Sequence, residues 1–248
     1  MILTPITNNS ADRISALVIG KSGIGKTSLI RTIHGQRYEN GKWHQDREPN
    51  AKVCVLSAEA GLLAIRDLIK TGIVEGWEIR NFAEFKTAYE MLATKEEIQN
   101  RYEWVFIDSL TEIASRCEEQ MKQKYPESAK TFKMWADYTS TMILLVKGFR
   151  DLFQYNVVFT CLESIDKDEN NRRYVAPMVA GKQLKERLPS YFDEVFYFQS
   201  IADEKGSERR IFFTQPRRDC PGKDRSGKLE PIEEPNLLTI SNKILREV

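Results

Sequence analysis

The run Gly20-Lys21-Ser22-Gly23-Ile24-Gly25-Lys26-Thr27-Ser28 follows directly on the apolar stretch 14–19 (ISALVI). No other segment limits the possible folds so strongly. Its first eight residues match G-x-x-x-x-G-K-[ST] in full. Gly20, Gly23 and Gly25 let backbone N–H groups turn inward and approach phosphate oxygens with no Cβ in the way. A helix starting near Lys26 would aim its positive end at the same oxygens. Lys26 then neutralises the β- and γ-phosphates, and the Thr27 hydroxyl ligates Mg²⁺. Ser22, Ile24 and Ser28 complete the cradle. This mechanism needs a strand before the loop and a helix after it. The apolar run ending at Gly20 supplies the strand.

The pattern beyond the loop alternates. Strands are expected at 51–59, 77–82, 102–109 and 155–163. Helices are expected at 60–69, 83–93, 110–124 and 132–153, with Ile113, Cys117 and Met121 on one face of the third. Such alternation implies an α/β fold, a mainly parallel sheet with helices on both faces. The last third changes character: 193–200, 209–216 and 236–244 read as strands joined by polar turns, an antiparallel C-terminal edge. Segments 164–182 and 215–235 read as polar loops. No linker divides the chain, so a single domain over 1–248 with an N-terminal tail at 1–13 is expected; 248 residues suffice for its core.

The formal net charge is +1, so any nucleic-acid site must be a local patch and no membrane partner is indicated. The four cysteines form no C-x-x-C pair and there are two histidines, which argues against a zinc site. Cys54 and Cys161 lie in apolar runs, which suggests a reducing compartment. The first residues lack the pattern of a signal peptide, and no apolar run approaches the ~20 residues of a spanning helix. A soluble, cytoplasmic protein is expected.

Two carboxylates end strands. Asp108 closes WVFID and is placed to hold Mg²⁺ beside the loop hydroxyl. Glu59 follows the second strand, where ligands of parallel sheets gather, and is a candidate base for the attacking water. A dipole-stabilising residue at a helix start is the competing role for Glu59. Glu112 is a weaker candidate base. Thr160 and Glu163 end the fifth strand, and either could sense the γ-phosphate.

On GKSGIGKTS, VLSAEAG, VFIDSLTEIA, LPSYFDEVFYF and GKDRSGKL, the chain resembles the RecA-like P-loop ATPase core, over roughly residues 14–245. More narrowly, it is similar to the short phage-encoded RecA-like ATPases associated with single-strand annealing. The resemblance implies ATP hydrolysis with Glu59 as catalytic carboxylate, a homo-oligomeric ring or filament, and ATP-dependent binding of single-stranded DNA. It leaves a single-strand binding protein as a further partner, and the host cytoplasm as location if phage-encoded. The chain departs from many such cores in reading Thr160-Cys161-Leu162-Glu163 where they carry a sensor Gln. In the family, two cations late in the chain reach a neighbouring subunit's ATP; Lys223 and Arg225 match that place. The family's DNA loop emerges after the sensor strand, which brings in Arg172, Arg173, Tyr174 and Lys182. Basic and aromatic residues also interleave at 123–135, including Lys130, Phe132 and Trp135. A helicase or helicase-loader subunit on the same core shares most of these residues. A nucleotide kinase would use Arg172 and Arg173 as a lid but leaves Glu59 without a role. A GTPase lacks its N-K-x-D signature here.

Overall fold

The computed structural model describes residues 12–39, 41–48, 51–59, 61–126, 132–202 and 208–246. Most of the expected tail, and Lys130, lie outside them. The described strands are β1 (Ser15–Gly20), β2 (Gln36–Glu39), β3 (Lys42–Gln45), β4 (Val53–Ser57), β5 (Val74–Glu78), β6 (Trp104–Asp108), β7 (Asn156–Lys167), β8 (Arg173–Pro177), β9 (Glu194–Ala202) and β10 (Glu208–Phe213). The helices are α1 (Ile30–Ile33), α2 (Arg66–Lys70), α3 (Phe82–Thr94), α4 (Glu96–Gln99), α5 (Leu110–Lys124), α6 (Phe132–Arg150), α7 (Lys182–Arg187) and α8 (Leu237–Leu245).

The main sheet runs β5-β4-β6-β7-β1-β9-β10, closed at its outer end by a short bridge at Ile232–Glu233. β5 through β9 are parallel, and β10 and the bridge are antiparallel. The strands β1, β4 and β6 are buried along their whole length, as near-continuous apolar runs in a sheet covered on both faces must be. Alternate residues serve two cores. Leu17, Ile19, Val105, Ile107 and Phe159 meet residues of α3, α5 and α6 on one face. Ala16, Val18, Val53, Phe106 and Val158 meet residues of α1, α2 and α8 on the other. Stacking of Phe85 on Phe149, centroids 4.9 Å apart, joins α3 to α6.

Several elements differ from the expectations. Segment 236–244 is the helix α8, not a strand. The Asn236 side chain accepts from the Thr239 N–H at 3.0 Å as N-cap, and Leu237, Ile240 and Ser241 share the buried face at helical spacing. The strand expected at 77–82 begins earlier, at Val74, because an edge strand has only one covered side and a weak apolar signal. The expected helix at 60–69 is split between a 3₁₀ turn (Leu62–Ile65) and α2. The helix after the phosphate loop is a 3₁₀ turn (Thr27–Leu29) running into the single turn α1, followed by the antiparallel hairpin β2–β3. β9 is the turning point of the sheet: it runs parallel to β1 on one side and antiparallel to β10 on the other, where the expected antiparallel edge begins.

The loop expected at 164–182 is largely a hairpin. β7 continues to Lys167 and pairs antiparallel with β8, from Glu163↔Pro177 to Lys167↔Arg173. Asp168 closes its tip by accepting from the Asn170 and Arg172 N–H groups at 2.8 Å. Most of the hairpin is unburied, so its sequence lacks the apolar alternation that marks a strand. The segment 215–235 consists of short bridges and turns.

Candidate functional site

Parallel register gathers four strand ends at one crest. Gly20 pairs with Leu162 on one side and Phe198 on the other, Ser57 pairs with Asp108, and Thr160 follows Phe159 opposite Ile107. β7 therefore lies between the strand that delivers the loop and the strand that delivers Asp108. Gly20 has no room for a side chain: a Cβ would come within 2.8 Å of the Phe198 carbonyl oxygen. Gly25 sits at φ +110°, where other residues are strained.

Lys26 is 8% exposed and folds over the loop, its Nζ donating to the carbonyls of Gly20 (3.0 Å) and Lys21 (2.8 Å). Burial lowers its pKa, against the opposing pull of Asp108, Cys161, Glu59 and Glu163. Asp108 is 3% exposed and accepts two hydroxyl donors: Thr160 Oγ1 to Oδ1 at 2.5 Å and Thr27 Oγ1 to Oδ2 at 2.6 Å. Burial pushes the Asp108 carboxyl up, while the bonds from Thr160 and Thr27 hold it down and the Glu59 charge adds to the rise. A loop hydroxyl and a buried carboxylate thus converge, an oxygen donor pair that suits a hard divalent cation. Ser22 is exposed, Ile24 packs on the second core, and Ser28 is half-buried beside the loop.

Glu59 stands just past β4, its Oε1 accepting from Ser109 Oγ at 2.5 Å. Its approach is braced from three sides. The Ala58 N–H donates to the Asp108 carbonyl at 2.8 Å, Ser57 Oγ donates to the Glu59 carbonyl, and Arg116 of α5 donates to the Ala58 carbonyl at 2.7 Å. Ser109 also caps α5 through the Glu112 N–H at 3.5 Å, which makes Glu112 the third residue of that helix. Ser109 and Arg116 were not singled out from the sequence. The S-x-x-E pattern of Ser109 and Glu112 was a signal for the first; nothing local marked Arg116. Of the two sensor candidates, Thr160 touches Asp108, whereas Glu163 accepts from Gln199 of β9 at 3.4 Å.

The remaining candidates stand apart. Lys223 lies in the short bridge to Val195 and Arg225 follows it, at the opposite end of the parallel strands from the loop. Lys223 donates to the Phe192 carbonyl and Arg225 pairs with Asp193 at 2.6 Å. Arg172 and Arg173 are exposed and Tyr174 half-exposed at the end of the β7–β8 hairpin. That hairpin continues past Leu162, the partner of Gly20, to Lys167, about 16 Å beyond the crest at ~3.3 Å per residue. Lys182 opens α7 and lies 3.7 Å from Glu186. At 123–135, Tyr125 donates to Asp137, Phe132 is exposed, and Lys130 falls outside the described residues.

Among the described residues no cluster of three or more His, Cys, Asp or Glu is placed to hold a metal, and no helix is long and apolar enough to cross a membrane. A family model described as AAA domain matches residues 12–226, most of the chain, and the chain belongs to that family of P-loop NTPases. No curated protein matches the chain.

Proposed function

We propose that this AAA-domain protein is an ATPase of the RecA-like type that couples ATP turnover to single-stranded DNA, promoting annealing or strand pairing in phage-type recombination. The observation that carries the ATPase half is the convergence of Lys26, Thr27, Asp108 and Thr160 on one crest with Glu59 beside it. Lys26 would leave the Gly20 and Lys21 carbonyls for the β- and γ-phosphate oxygens. Thr27 and Asp108 would hold Mg²⁺, which neutralises charge on those oxygens. Ser109 orients Glu59, whose other carboxylate oxygen would take a proton from the attacking water. The new bond forms between water oxygen and the γ-phosphorus, the bond to the β-phosphate oxygen breaks, and ADP leaves. Thr160, bonded to Asp108, would report whether the γ-phosphate is present.

The DNA half rests on the hairpin beyond the crest. Its base is Glu163 on the sensor strand, and its far end carries Arg172, Arg173 and Tyr174, two phosphate contacts and a stacking surface. A strand lying there would bear on Thr160 through β7 itself. Lys223 and Arg225, remote from their own loop, would serve the ATP of a neighbour in a ring or filament. Steady-state ATPase with and without oligonucleotide tests the reading: turnover should rise severalfold with single-stranded DNA. Unchanged turnover, with phosphoryl transfer to a nucleoside monophosphate, would point to a kinase instead.

A further inference from the structure

Arg217 and Arg218 lie between β10 and the bridge at Lys223, in a short hairpin whose paired arms are Pro216–Arg217 and Cys220–Pro221. Both arginines are exposed. Two contacts fix where this hairpin sits. The Val175 N–H of β8 donates to the Asp219 carbonyl at 2.8 Å, so the tip adds to the free edge of the β7–β8 hairpin. The Arg217 guanidinium stands 4.4 Å from the centroid of Phe213 in β10, and that ring stacks on Tyr197 of β9 with centroids 6.2 Å apart. Asp219 thus meets β8 two residues from Arg173, about 7 Å along the strand at ~3.3 Å per residue.

Resting on the reading of the β7–β8 hairpin as the element that meets DNA, we propose that the 216–221 hairpin is a second nucleic-acid contact, in which Arg217 and Arg218 take phosphates of the single strand whose other phosphates meet Arg172 and Arg173. A guanidinium held face-on by an aromatic ring keeps its in-plane N–H donors free for phosphate oxygens. Arg217 is held in this way, and the carboxylate paired with it, Asp219, stands 4.0 Å away and is itself 70% exposed. With Lys167, the two hairpins present five cations against Asp168, Glu169 and Asp219. Asp168 is already engaged by the Asn170 and Arg172 N–H groups. The surplus is positive on one surface of a chain whose formal net charge is only +1, the local patch that a polyanion requires. Tyr174 on the adjoining hairpin adds a ring for an unpaired base.

The test is the anisotropy of a labelled single-stranded oligonucleotide, titrated at several salt concentrations. Each phosphate contact to a single strand contributes about 0.7 to the steepness of log affinity against log salt. The double change Arg217→Ala and Arg218→Ala should therefore lower the slope by about 1.4, and all four changes, with Arg172→Ala and Arg173→Ala, by about 2.8. Arg217→Lys with Arg218→Lys should hold the slope near its wild-type value, because lysine still neutralises a phosphate. A lysine pair that loses as much as the alanine pair would trace the loss to the Arg217–Phe213 contact and overturn the proposal. An unaltered slope in the alanine pair would overturn it too; a fall with Arg172→Ala and Arg173→Ala in the same series would then leave the DNA reading of the β7–β8 hairpin standing. Wild-type protein that binds no single strand overturns both.

Discussion

Replacing Thr160 by valine removes one hydrogen bond and almost no volume. Thr160 is fully buried, and its hydroxyl is the sole donor from β7 to Asp108 Oδ1 among the described residues. A hydrogen bond to a charged group is worth about 1.5–3 kcal/mol net, so Thr160→Val should cost roughly that much. In a chain of this size each kcal/mol moves the melting midpoint about 2–4 °C, giving a drop of about 3–12 °C at neutral pH. The loss has a sign in pH. Burial already raises the Asp108 carboxyl, the Thr160 bond opposes the rise, and its removal lets the folded-state value climb further. A folded pKa above the unfolded one means the folded state holds the proton longer, so stability falls as pH rises from the unfolded value through the folded one. The deficit of Thr160→Val should therefore be full above that window and shrink below the ordinary carboxylate range, where Asp108 is protonated in both states. The acid limb of turnover should move to higher pH with it. Urea denaturation across pH, with ATPase profiles, reads both. Thr160→Ser is the control: it keeps the hydroxyl and loses one methyl, about 0.8 kcal/mol at every pH. A valine variant no weaker than the serine variant at neutral pH, or a deficit that ignores pH, would refute the hydrogen-bond argument.

Lys26→Ala should lower turnover at least about 10²-fold, as loss of a transition-state donor does, checked by phosphate release. Glu59→Gln should bind ATP as wild type while turnover drops about 10²–10⁴-fold; a variant at full speed would return Glu59 to the competing role of a dipole-stabilising residue at a helix start. The double change Arg172→Ala and Arg173→Ala should reduce the slope of log affinity for single-stranded DNA against log salt by about 1.4, measured by anisotropy. An unaltered slope would remove the hairpin from the DNA path. Arg225→Ala breaks a mostly exposed pair with Asp193 and should barely move stability, by about 0–1 kcal/mol. Its ATPase should fall only at concentrations where the protein assembles, and an equal deficit in dilute monomer would exclude the intersubunit role.

The phosphate loop and Asp108 were legible in the sequence because their meaning is local. A strand must precede Gly20, a turn of helix must follow Lys26, and an apolar run ending in an acid must reach the sheet's crest; each is written within ten residues. Glu59 was legible for the same reason, as the first carboxylate beyond a buried strand. What surrounds them was not. The pairing of Thr160 with Asp108 exists because β7 enters the sheet between β1 and β6, and the order of strands depends on contacts between residues far apart in sequence. Ser109 at the N-cap of α5 and Arg116 further along it brace Glu59 and its neighbour Ala58, and the cavity beside the phosphate loop needs β2, β3 and β10 brought to one place. Spacing along a chain records which residues share a face, because helix and strand periods are short. It does not record which strand lies beside which, because that choice follows from burying two apolar faces at once, a requirement only the whole sheet can satisfy.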